Sequence, residues 1–109
     1  NTPINSNNAT WFESVKLSNA GTYLCMFSVN CPTGTSISFR WQDHDDNYFS
    51  NKASVENNNN AWGAICTGIV TTTGSNKIIK LVCTNKSGNV QLTDPAEGFN
   101  SSMTIMKLG

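Results

Sequence analysis

The chain predicts an all-β, antiparallel sandwich. Apolar stretches of strand length recur between turn signals at roughly the 8–12-residue spacing of such folds. Alternation is two-residue rather than 3.6-residue, and no helical period lasts long enough for a helix. At 109 residues the chain is close to the commonest domain size, so one core is expected. Residues 1–9 read as a linker from an upstream parent, and residues 10–109 as the folded domain.

The elements follow in order. Thr10 to Leu17 (TWFESVKL) is a first strand, with Trp11, Glu13, Val15 and Leu17 on one face, ended by a Ser18-Asn19-Ala20-Gly21 turn. Thr22 to Asn30 (TYLCMFSVN) is the strongest strand. It is apolar on both faces, Tyr23, Cys25, Phe27 and Val29 on one and Leu24 and Met26 on the other, so each face needs a cover. After the Cys31-Pro-Thr-Gly-Thr35 turn, Ser36 to Trp41 alternates with Ile37, Phe39 and Trp41 inward. Gln42 to Asn60 is polar and reads as the longest loop, with a short strand around Tyr48-Phe49. Further strands are expected at Ala61 to Thr72, Lys77 to Asn85, Val90 to Thr93 and Ser102 to Leu108, with no solenoid repeat. The apolar last strand suggests the natural end of a longer parent.

Composition narrows the function. Seven Lys+Arg balance seven Asp+Glu, and only 13% of residues are charged. No footprint for nucleic acid or an anionic membrane results, and no apolar run reaches the roughly 18 residues of a spanning helix, so membrane insertion is not expected. Asn, Ser and Thr supply 40 of the 109 residues. Neutral amides and hydroxyls hydrogen-bond to sugars without the desolvation cost of charges.

The cysteines at 25, 31, 66 and 83 include no C-x-x-C pair, and one His is present, so zinc-ligand spacing is absent and no metal or other cofactor is expected. Cys25, Cys66 and Cys83 sit mid-strand among apolar residues and read as buried thiols. The even total of four cysteines leaves two disulfides open. Cys31, before Pro32 at a turn, is the most reactive by position.

Two stretches carry a family resemblance. Ala20-Gly21-Thr22-Tyr23-Leu24, with its strand to Asn30, and the closing Ser101-Ser102-Met103-Thr104-Ile105-Met106-Lys107-Leu108-Gly109 resemble the third and last strands of tumour-necrosis-factor-like and complement-globular-head jelly rolls. The particular likeness is to head domains of bacteriophage tail fibres and receptor-binding proteins. It implies a jelly-roll homotrimer at a virion tail tip or another extracellular surface, binding at its tip. The apolar surplus on Thr22 to Asn30 and Ile78 to Cys83 agrees with a trimer, unless both strands are covered within one chain.

Asp43, His44, Asp45 and Asp46 form the only charge cluster. It lacks the Gly and Glu of a calcium loop, so a solvated turn or a set of sugar acceptors is the better reading. The candidate ligand site comprises Asp43, His44, Asp45, Tyr48, Asn58 and Trp62, carboxylates and amides beside aromatic rings suited to a neutral host-cell-surface saccharide. Trp41 is as readily a core residue as a platform. With one His and no nucleophile-elbow context, an enzyme is not expected. The alternative is a structural C-terminal trimerisation cap that binds no ligand.

Overall fold

The computed structural model describes residues 10–30, 36–56, 63–87 and 100–109. Seven strands are present among them: β1 (Thr10–Leu17), β2 (Gly21–Asn30), β3 (Ser36–Gln42), β4 (Ala53–Glu56), β5 (Gly63–Thr72), β6 (Lys77–Ser87) and β7 (Asn100–Lys107). They form two antiparallel sheets, a four-stranded one in the order β1-β6-β3-β4 and a three-stranded one in the order β5-β2-β7. Strands consecutive in sequence mostly lie in opposite sheets, which makes the molecule a jelly-roll-like sandwich.

The alternation read in the sequence sets the inner layer. Ile37, Phe39 and Trp41 of β3 face Tyr23, Cys25, Phe27 and Val29 of β2, and Ile79, Leu81 and Cys83 of β6 complete the buried cluster. Phe27 and Phe39 meet edge to face, centroids 5.6 Å apart and planes at 90°. Such a contact adds ~0.5–1.5 kcal/mol to the burial of the two rings. In β1 the pairing with β6 slips between Trp11 and Glu13. Val15 and Leu17 still pack inward, while Glu13 is exposed.

Most expected strands appear within a residue or two of their expected limits. The exception is β4, which lies inside the stretch expected to be loop. Its Ala53-Ser-Val-Glu56 offers only two apolar positions, and Ala53 is buried because β3 supplies the ladder, with Phe39 paired to Ala53. The Tyr48-Phe49 strand is reduced to isolated bridges, Gln42 with Tyr48 and Ser50 with Gly68. The proposed linker at residues 1–9, the Val90 to Thr93 strand, and Cys31, Asn58 and Trp62 lie outside the described residues.

The two apolar surpluses have different fates. On β6, Val82 faces outward yet is only 2% exposed, so this chain covers it, whereas Ile78 at the start of the strand stays 46% exposed on the same face. On β2, Leu24 and Met26 are half-buried and lie on an outer face that stays open among the described residues. Cys25, Cys66 and Cys83 are buried thiols that form no disulfide with one another. Burial without a compensating partner pushes the Cys25 thiol up from 9.0 to about 11.

Candidate functional site

The polar stretch after β3 is built as a braced loop. Asp43 Oδ1 accepts from the backbone N–H groups of Asp45 and Asn47, each at 2.9 Å, an Asx-type closure that an aspartate makes at no conformational cost. Asp43 N–H donates to Asn47 O at 2.8 Å and Asp46 N–H to Asp43 O at 3.1 Å. Asp46 takes a left-handed backbone, φ 64°, which Asp tolerates better than most residues. Gln42 Nε2 donates to Asp46 O at 3.1 Å and ties the tip back to the sheet.

Past the tip the chain returns beside the end of β3 that β4 leaves unpaired. Phe49 N–H donates to Trp41 O at 3.2 Å, and Trp41 N–H donates to Ser50 Oγ at 2.8 Å, so a side chain stands where a strand would supply a carbonyl. The Ser50 hydroxyl donates in turn to Asn51 O at 3.0 Å, and the Cys66 thiol donates to the same carbonyl at 3.1 Å. Burial pushes the Cys66 thiol up, and the Ser50 hydrogen bond offsets part of that rise. The Phe49 ring stacks on Trp41, 6.1 Å between centroids and 28° between planes. This return path exists because residue 68 is glycine. A Cβ there would lie 2.8 Å from both Phe49 Cδ1 and Phe49 O.

The expected site residues are partly brought together. Tyr48 is paired with Gln42 and lies 38% exposed at the edge of the four-stranded sheet, with the Arg40 guanidinium 4.1 Å from its ring centroid. Asp45 is exposed, and its Oδ2 lies 3.2 Å from His44 Nε2. His44 Nδ1 is buried with no hydrogen-bond partner. One Asp43 oxygen is occupied by the loop's own backbone. Trp41, weighed as a platform, is 0% exposed and donates from Nε1 to Cys66 O at 3.2 Å. It is a core residue because the odd positions of β3 face inward.

Sequence reasoning missed the neighbours that the sheet contributes. Strand register sets Ser14, Lys80 and Gln42 in one cross-strand row that Tyr48 extends, with Arg40 in the next row beside Val82. Lys80 Nζ lies 3.0 Å from Asp46 Oδ1 and links the row to the loop. Alternation put Arg40 outward, but the approach of Lys80 depends on pairing between segments almost forty residues apart, which no local pattern encodes. Among the described residues no three His, Cys, Asp or Glu side chains converge as a metal site, and no helix is long and apolar enough to cross a membrane.

No protein-family model and no curated protein matches the chain. Among solved structures, the EclA C-terminal domain, a sugar-binding protein, superposes with a TM-score of 0.66 at 14% identity, over 96% of this chain and 76% of that one. At this identity the likeness is one of fold: it agrees with the two-sheet sandwich.

Proposed function

We propose that this chain is a non-catalytic, saccharide-binding domain whose binding surface centres on Tyr48. The observation that carries the reading is the half-open Tyr48 ring, held on Arg40, bridged to Gln42 and carried on the same loop as the His44–Asp45 pair. An aromatic face takes the apolar face of a pyranose, and planar polar groups beside it take the hydroxyls. Likeness in fold to a sugar-binding domain supports it. The single His44 faces Asp45, with no nucleophile beside it among the described contacts, which favours binding over catalysis.

We further infer the setting from the phage-head resemblance and the neutral Asn, Ser and Thr surface. The saccharide is on a host cell, and the domain is displayed as a homotrimer at the tip of a bacteriophage fibre or receptor-binding protein. The outer face of the three-stranded sheet supports assembly. Ile69, Leu24 and Met106 form one cross-strand row, Met26 lies in the adjoining row and Ile65 in the one beyond it, and the other outward positions from the Thr22 row to the Ser28 row are Ser and Thr. Ile65, Ile69 and Met106 are 54%, 58% and 51% exposed, on a face with no charged side chain to keep a second copy away. The same face favours a second reading, a structural trimerisation cap that touches no ligand.

A glycan array separates the two. The saccharide domain retains glycans, and Tyr48→Ala weakens retention about ten-fold or more while the melting temperature stays close to the parent's. A folded chain that retains no glycan is the cap.

A further inference from the structure

One side chain at the Tyr48 surface is not accounted for by a neutral sugar. Arg40 is half-buried, and a guanidinium carries five N–H donors. One of its terminal nitrogens reaches Ser50 O at a long 3.5 Å, and its Nε is buried with no acceptor. The ion pairs among the described residues are His44 with Asp45 and Lys80 with Asp46, and neither includes Arg40. Buried cations are ordinarily paired, because withdrawing them from water without an anion is costly, and a half-buried guanidinium bears part of that cost. Here the face of the Tyr48 ring takes the guanidinium, which leaves its donors largely unspent.

The sheet face around it carries further cations. Lys80 is the diagonal neighbour of Arg40 across the β3–β6 ladder, roughly 7–8 Å away by sheet geometry, and Lys16 lies further along the same face opposite Ile78. Against these three, Asp46 is the one carboxylate that forms an ion pair on the face among the described residues. The acidic residues Asp43 and Asp45 belong to the loop tip. The surface is therefore two-part, acceptors on the loop and an under-neutralised cationic pair on the sheet.

We propose that the saccharide is anionic, with a carboxylate or phosphate oxyanion taken by Arg40 and Lys80 while a neighbouring ring lies on Tyr48. The inference rests on the saccharide reading of this surface and replaces the neutral ligand expected from composition. A guanidinium fork matches two oxygens of either anion, and such bonds are stronger than neutral ones.

Calorimetric titration of the full chain tests it with three probes of matched length: a neutral galacto-oligosaccharide, oligogalacturonate and poly(glycerol phosphate). One anionic probe is expected to bind about ten-fold or more tightly than the neutral one. Its affinity should fall several-fold as NaCl rises from about 50 to about 500 mM. Which acid wins assigns carboxylate or phosphate. Arg40→Gln should remove the preference, and Lys80→Gln should reduce it. If Arg40→Gln lowers the melting temperature, Arg40→Lys, which keeps the charge and loses the fork, and the salt dependence of the parent chain decide. A neutral probe bound as tightly as both acids, insensitive to salt, overturns the inference and leaves the saccharide reading standing. A chain that binds none of the three and no glycan on an array overturns both.

Discussion

The two outer faces of the sandwich are made by the same alternation and differ in what they leave unsatisfied. On the three-stranded sheet the outward positions from the Thr22 row to the Ser28 row are Ile, Leu, Met, Ser and Thr, and two pairs of hydroxyls bond across strands, Ser28 with Ser102 at 2.7 Å and Thr22 with Thr71 at 3.0 Å. That face has apolar area to bury and few polar groups left to spend. On the four-stranded sheet, Val82 is already covered, and the surface above it carries Arg40, Lys80, Gln42 and Tyr48, whose donors and ring exceed what the chain itself uses. Surplus apolar area suits another protein surface, whereas surplus donors beside a ring suit a polar ligand.

A charge on the apolar face gives the largest effect. Ile69→Lys places an ammonium at the exposed β5 end of the Ile69–Leu24–Met106 row, so light scattering should move from a multiple of 11.8 kDa to the single-chain mass, with the melting curve of each chain nearly unchanged. A parent chain that is already monomeric at micromolar concentration removes the assembly half of the contrast.

The polar face is broken from behind. Gly68→Ala puts a methyl group within 2.8 Å of the Phe49 backbone and ring, so the loop must lift, losing the Trp41 stack and the Ser50 bond. Chemical denaturation should show a loss of ~3 kcal/mol, and saccharide binding should fall while self-association persists. Unchanged binding in Gly68→Ala means that the ligand does not need the loop.

A smaller effect belongs to the core and should touch both faces alike. The Cys25 thiol is raised in the folded chain, so the folded state holds its proton where the unfolded state releases it. Its contribution is fully present below pH 9.0 and is lost as pH rises toward about 11. Stability should decline through that window by on the order of 2 kcal/mol from this group, and Cys25→Ala should flatten the slope. An equal slope in both proteins contradicts it.

Much of the fold was legible because strands announce themselves locally. The odd positions from Tyr23 to Val29 and from Ile37 to Trp41 are the buried ones, as alternation requires. The loop was legible only as a polar segment. Its return path depends on Gly68 and Cys66, and its charge partner Lys80 arrives from β6. The four-residue β4 escaped notice because the ladder of β3, not its own composition, makes it a strand. Of the candidate residues, Asp43, His44, Asp45 and Tyr48 do share one loop, but the sheet residues that give Tyr48 its setting are contributed by strand pairing, which no short window of sequence contains.

The binding surface is tested most directly by following backbone amide resonances during titration with a saccharide that the chain retains. The predicted result is shifts concentrated at Arg40, Gln42, Asp45, Tyr48 and Lys80, abolished in Tyr48→Ala, with β5 and β7 silent. Shifts confined to the Ile69–Leu24–Met106 face, with Tyr48 and its neighbours unmoved, would contradict it.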